Sequence, residues 1–217
     1  LPRPCARPSC AKPKRASCLL PFFRVQLSKK MNSDRPDAVC RKRARPSQGT
    51  MYLYMQLQQL YENDHFVVEV DDANMMRWTC HITDAALKQF NMTSLSKELH
   101  QWSRLARQPP SIVLHIHFPN DYPHSVPFVR VVHPRFQWHT GHVTIGGSFC
   151  TEMLTAGGWR PMTVDALLHS LCATLVEGNA KIQLQPDMHC ALPLVDYEEV
   201  EARQAYTRVA QYHGWIN

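Results

Sequence analysis

Residues 1 to 47 carry seven prolines and 13 lysines or arginines against 2 acidic residues, and no other feature of this 217-residue chain limits its fold as strongly. Each proline removes a backbone donor and the like charges repel, so the stretch has too little apolar surface to offset chain entropy. It is expected to be a disordered basic tail, leaving residues 48 to 217 for one folded domain. A domain of about 150 residues already hides roughly 70% of its surface, so this remainder can build a sizeable core. The overall charge of +6 comes from the tail, because residues 48 to 217 hold 11 basic against 16 acidic side chains. An acidic domain argues against nucleic acid as a partner, since that binding needs a basic face on the folded part. The run "CLLPFF" is far shorter than the roughly 20 residues of a membrane span, so no membrane partner is expected. "RKRARP" at 41 to 46 looks like a nuclear-import cluster, and the acid-free first 33 residues also fit a mitochondrial presequence. Nuclear or cytoplasmic residence ranks above mitochondrial.

Within the domain, Leu53, Leu57, Leu60 and Tyr61 recur at helical spacing until Asn63 and Asp64 break the run. "FVVEV" (66 to 70) and "RWTCHI" (77 to 82) read as strands joined through the polar "DDANMM". A helix is predicted from an N-cap at Ser94, with Leu95, Leu99, Trp102 and Ala106 on one stripe, ending before Pro109 and Pro110. "SIVLHIHF" (111 to 118) alternates as a half-buried strand does, and "FVRVV" (128 to 132) forms the next strand after the turn-rich "PNDYPHSVP". Val164, Leu167, Leu168, Leu171, Leu175 and Val176 outline an apolar-faced helix capped by Thr163 and closed near Gly178. Asp196 with Glu199 resembles a capping box that opens a last helix ending at Gly214. Helices, then antiparallel strands, then an irregular segment and two helices make an α+β layout.

"FPNDYPHSVPFVRVVHP", "GGSFCTEML" and "GWRP" ahead of an apolar helix, in this order and spacing, resemble the ubiquitin-conjugating enzymes, the E2 family. The corresponding parts are Tyr122, Pro123 and Pro127; His133 and Pro134; Cys150; and Trp159 with Pro161. Arg135 stands where the family usually has the Asn of His-Pro-Asn. That change, the longer "RFQWHTGHVTIGG" stretch and an extra helix near residue 100 are similar to the divergent Q subfamily. The resemblance covers residues 50 to 217. It implies the ubiquitin-conjugating (UBC) fold, an antiparallel meander sheet flanked by helices. It also implies that Cys150 accepts ubiquitin, or a ubiquitin-like protein, as a thioester from an E1 activating enzyme and passes it to an amine, usually a substrate lysine, with an E3 ligase. No cofactor is implied, since the ATP is consumed by the activating enzyme. Cysteine suits this work because its thiolate is a good nucleophile and the thioester remains reactive toward amines. Gly146 and Gly147, lacking a Cβ, are expected to let a visiting tail approach the backbone.

Around Cys150 the residue roles are expectations. The family's Asn helps hold the oxyanion, and losing one such donor typically costs roughly 100- to 1,000-fold in rate. His142, eight residues before Cys150, or His139, is expected to offer an N–H in its place, against the alternative of solvated loop histidines. Glu152 matches an acidic position two residues after the family's cysteine and either orients the amine or is a surface carboxylate. His133 is expected to buttress the turn rather than act as a base. The Tyr122–Pro127 loop, Trp159 and Pro161 resemble ligase-contacting loops, used together with the first helix, and His124 stands where the family has an aromatic.

The other cysteines carry less. All eight cysteines of the chain, Cys150 included, are scattered without a C-x-x-C pair, which argues for reduced thiols rather than a zinc ribbon or redox site. Cys80 and Cys172 fall on apolar-patterned elements and read as core residues; Cys5, Cys10, Cys18 and Cys40 lie in the tail. A zinc site from His133, His139, His142 and Cys150 matches no closed spacing, so no metal is expected. A cysteine hydrolase would need a recognisable nucleophile box, which is missing. The remaining rival is an E2-like adaptor that binds ubiquitin or a ligase with weak or no catalysis; retention of Cys150 argues against it.

Overall fold

The computed structural model describes residues 46–60, 65–71 and 73–216. The basic tail up to residue 45 and Tyr61, Asn63 and Asp64 lie outside the described residues. Four strands form one sheet: β1 (Phe66–Asp71), β2 (Asn74–Thr83), β3 (Ser111–His117) and β4 (Phe128–His133). They run β1-β2-β3-β4 with every neighbouring pair antiparallel, the expected meander. Register builds the core row by row: Val68 pairs with Cys80, Cys80 with Leu114 and Leu114 with Val131, and all four are buried. Burying each of the larger apolar side chains contributes roughly 1.5–3 kcal/mol.

Helices cover this face. α1 (Gln48–Leu60) packs on β1 and β2 and against α4 (Val164–Glu177). Thr163 caps α4, its hydroxyl accepting from the Ala166 N–H at 3.1 Å, and Val164, Leu167, Leu168, Leu171, Cys172 and Leu175 are all buried. Cys80 and Cys172 are fully buried, as their apolar settings foretold. Among the described residues, Cys80, Cys150, Cys172 and Cys190 form no disulfide, and no helix is long and apolar enough to cross a membrane.

The structure departs from the sequence expectation at four places. β2 starts at Asn74, running through part of the polar "DDANMM", because the Asp71 and Asn74 side chains accept from the Ala73 and Met76 backbones and tighten the hairpin. A short helix, α2 (Asp84–Gln89), follows β2 directly, capped by the Thr83 hydroxyl; six residues are too few for a periodic signal. α3 (Thr93–Ala106) begins with Met92 as N-cap rather than Ser94, which sits in the first turn. α5 (Glu199–Tyr212) is capped by Glu198, whose backbone N–H donates to Glu201 at 3.3 Å, instead of by Asp196. Asp196 binds His133.

Candidate functional site around Cys150

After β4 the chain enters a long irregular segment held by isolated bridges, Phe136 with Ile182 and Val143 with Phe149. It doubles back on itself: Thr144 N–H donates to Ser148 O at 2.8 Å, and Cys150 N–H donates to His142 O at 2.7 Å. Phe149, 1% exposed, plugs the core, and Cys150 follows half-buried at the exit, ahead of the 3₁₀ turn Glu152–Leu154 whose Leu154 is again buried. Two buried aliphatic or aromatic anchors thus bracket one accessible sulfur.

The C-terminal segment closes over this hairpin. Arg135 forks onto Glu201 at 2.9 and 3.0 Å, donates to the Val195 and Asp196 carbonyls, and lies 4.3 Å from the centre of the Tyr197 ring. Burial works against its charge, but the Glu201 carboxylate more than offsets this and holds the guanidinium protonated. Tyr197 accepts from the Phe136 N–H at 2.9 Å and donates its backbone N–H to Val132 O at 2.8 Å. Arg135 is therefore committed to anchoring α5 and is no substitute for the family's Asn. The glycine expectation also changes. A Cβ on Gly146 would meet the Glu201 carbonyl oxygen at 2.4 Å, and one on Gly147, at φ +89°, would meet the Tyr197 ring at 2.6 Å. These positions are glycine because the chain's own C-terminal segment packs against them, not because a visiting tail does.

α5 brings a residue that the sequence reading missed. His213, its C-cap, places Nε2 3.8 Å from the Cys150 Sγ, and its ring stacks on Trp215 with centroids 4.6 Å apart. Burial pushes the Cys150 thiol above its ordinary range, and the imidazole nitrogen lies within hydrogen-bonding reach of its sulfur. Spacing alone gives no hint across 63 residues; the signal available was a histidine next to Gly214 at the end of an amphipathic helix.

The expected site residues divide into two groups. His139 and His142 line the same groove as Cys150, both exposed and both in left-handed backbone at φ +58° and +52°. His142 meets Cys150 through its backbone carbonyl. Glu152 is exposed beside it. His133 lies elsewhere: its Nδ1 is 3.0 Å from Asp196 and its ring stacks on Trp102 at 5.2 Å, which is the buttressing arrangement. Among the described residues no three His, Cys, Asp or Glu side chains are grouped to hold a metal. In the loops resembling ligase contacts, Tyr122 is buried, donating to Met162 O at 2.9 Å, and buried Trp159 donates to Pro123 O at 2.8 Å. Pro127 is buried as well, so the outward part consists of His124 and Pro161, with Pro123 half-buried. Tyr122 and Trp159 fasten the two loops together instead of meeting a partner themselves.

Comparison with known proteins points to one family. A sequence model of the RWD domain family matches residues 53–183. The chain is 31% identical over 123 residues to the human ubiquitin-conjugating enzyme E2 Q-like protein 1, covering 55% of this chain and 69% of that one. It is 32% identical over 111 residues to a Q-like ubiquitin-conjugating enzyme of Drosophila melanogaster, covering 49% of this chain. It spans only 34% of that fly protein's length. Human ubiquitin-conjugating enzyme E2 G1 is a similar solved structure, with TM-score 0.42, 23% identity, and coverage of 60% of this chain and 96% of that one.

Proposed function

This chain belongs to the RWD domain family and, with it, to the Q-like ubiquitin-conjugating enzymes, and from that premise we propose that Cys150 carries ubiquitin or a ubiquitin-like protein as a thioester. The supporting observation is the accessible Cys150 thiol with an imidazole nitrogen 3.8 Å away. In loading, His213 takes the thiol proton, and the Cys150 sulfur attacks the thioester carbonyl held by the activating enzyme. A new C–S bond forms and the activating enzyme's thiolate leaves. The imidazolium then passes its proton to the departing thiolate of the activating enzyme, which leaves His213 neutral. In discharge, a neutral substrate amine attacks the same carbonyl, the C–N bond forms, the Cys150 thiolate leaves, and the amine proton passes to the His213 imidazole. A ring N–H of His139 or His142, which line the groove with Cys150, takes the oxyanion-stabilising place of the family's Asn, since the His213 Nε2 facing Sγ is the proton acceptor. No resident cofactor is needed, because activation by ATP is complete before the donor arrives.

The ligase and the activating enzyme find their surface at one end of the domain. Gly49 N–H donates to Asn120 O at 3.1 Å, which ties the start of α1 to the Tyr122–Pro127 loop, and the Trp159 bond to Pro123 ties on the Pro161 loop. On α1, Met51, Tyr54 and Met55 are each more than half exposed, an apolar face suited to a partner.

The test is direct. Purified protein is incubated with ATP, ubiquitin and activating enzyme, and an adduct cleaved by thiol reductant is expected, which Cys150→Ala cannot form. Failure to load with ubiquitin and with every ubiquitin-like modifier would replace this reading with that of an adaptor.

A further inference from the structure

The sheet holds a groove of about 360 Å³ that shares no lining residue with the groove at Cys150. Strand register lays out its floor: Glu69 pairs with Thr79, Thr79 with His115 and His115 with Arg130, so these polar side chains cross the sheet in one row. Arg130 is the anomaly in that row. It is 6% exposed, it donates only to the neutral acceptors Tyr197 O and His115 Nδ1, and its buried Nε has no partner. Glu199 and Asp196 act on it from a distance, and no carboxylate among the described residues touches it. A buried guanidinium is ordinarily paired, so the counterpart this one lacks is an anion.

The neighbouring histidines point to the same chemistry. A guanidinium donates and cannot accept, so the Arg130 bond makes His115 Nδ1 the acceptor and leaves the ring proton on Nε2. The Arg203 contact at 3.1 Å does the same for His117. Both rings line the groove, and neither Nε2–H meets an acceptor among the described residues. Arg77, exposed and paired in register with His117, adds a second guanidinium to this side. On β1 the sign changes: Glu69 and Asp71 line the groove and are exposed, whereas Glu199, its third carboxylate, is already held by Arg203 at 2.8 Å.

We propose that this groove binds a small ω-amino carboxylate, with its carboxylate on Arg130 and the two histidines and its ammonium at Glu69 and Asp71. Neighbouring strands lie about 4.8 Å apart, so Glu69 and His115 are roughly 10 Å apart at the backbone, a span that about five methylenes bridge once the side chains lean inward. A bare phosphate fits less well, because the two β1 carboxylates repel it and gain nothing in return. The volume lies in the range of small-ligand sites. This site is independent of the thioester reading.

Isotope-labelled full chain is titrated with ε-aminocaproate, caproate, hexylamine and inorganic phosphate, and NMR shifts of backbone and histidine ring N–H groups give both the affinity and the place of binding. ε-Aminocaproate is expected to saturate, to move Thr79, His115 and His117, and to bind about threefold more tightly than caproate or hexylamine, the size of one exposed ion pair. Glu69→Gln should cut its advantage over caproate and leave caproate itself unchanged. Arg77→Gln should weaken both carboxylates and spare hexylamine. Arg130→Met should abolish caproate binding; if that variant loses its thermal melt, the substitutions at Glu69 and Arg77, both exposed, decide alone. No saturation by ε-aminocaproate, phosphate binding as tightly as ε-aminocaproate, or an advantage over caproate untouched by Glu69→Gln overturns the proposal. Shifts gathered at His139, His142 and His213 instead would place the ligand in the Cys150 groove and overturn it too. Loading of Cys150 enters none of these readouts, so a chain that never forms a thioester still decides the matter.

Discussion

Burial lifts the Cys150 thiol above its ordinary value near 9, and the imidazole of His213 lies 3.8 Å from it. A thiol in that condition holds its proton at neutral pH unless a neighbour accepts it. Alkylation of Cys150 by iodoacetamide is therefore expected to rise with pH and to keep rising beyond pH 9. His213→Ala should lower the rate near pH 7 by roughly tenfold while converging with the wild type at high pH, where solvent hydroxide does the work. Mass spectrometry of the modified peptide reads both curves, and coincident curves at neutral pH would deny His213 the proton. At this scale the sequence was legible where chemistry is local: Cys150, the His133-Pro134 pair and the glycines stand in one short stretch. The reason for the glycines was not legible, because what they avoid, Tyr197 and Glu201, arrives from more than 45 residues away. His213 was hidden for the same reason.

Among the elements, α5 depends most on a single polar anchor. Arg135 gives it two bonds to Glu201 and two to backbone carbonyls, and removing one side of such a pair strands the other. Arg135→Ala is expected to destabilise the fold by about 1–3 kcal/mol and to raise hydrogen exchange selectively in α5. Lysine cannot form the fork, so Arg135→Lys should recover only part of the loss. Gly146→Ala attacks the same contact from the opposite side, forcing a Cβ to within 2.4 Å of the Glu201 carbonyl oxygen and 2.8 Å of Ala205, and should loosen α5 and slow Cys150 alkylation together. Exchange unchanged in α5 for both variants would show that it is held by other means. The long elements could be read ahead of the structure because β3 and α4 repeat their apolar period over several turns. α2 is too short to show a period, and the caps of α3 and α5 were displaced by tertiary contacts: Asp196, a plausible cap in sequence, is drawn away by His133.

For the molecule as a whole, the side of the sheet away from α1 and α4 carries ionisable groups that the C-terminal segment covers. Arg130, 6% exposed, donates to Tyr197 O and reaches His115 Nδ1, both at 2.8 Å; Arg203 reaches His117 Nδ1 at 3.1 Å; Asp196 meets His133. Burial, then the Arg130 guanidinium, pull His115 down to about 4, and burial lowers His81, His117 and His133, although Glu69, Glu199 and Asp196 face them and oppose the shift. A folded-state value below the unfolded one near 6.5 means that the unfolded chain binds protons first as the medium acidifies. The stability held by neutral histidines is thus complete above about pH 6.5 and drains away between there and pH 4. On the alkaline side the sign is set by thiols. Burial raises Cys80 far above its ordinary value and takes Cys172 to about 12, so beyond about pH 9 the unfolded chain loses protons that the folded one keeps. Stability then falls by about 1.4 kcal/mol per thiol per pH unit. Urea midpoints measured across pH should therefore form a plateau from about 6.5 to 9 with a decline on each side. His115→Gln should flatten the acid decline and Cys172→Ala the alkaline one, each leaving the other limb in place. A midpoint that holds steady down to pH 4.5 would mean that the covered histidines are already charged in the folded protein, and the C-terminal segment would then have to bind the sheet through a different set of protons.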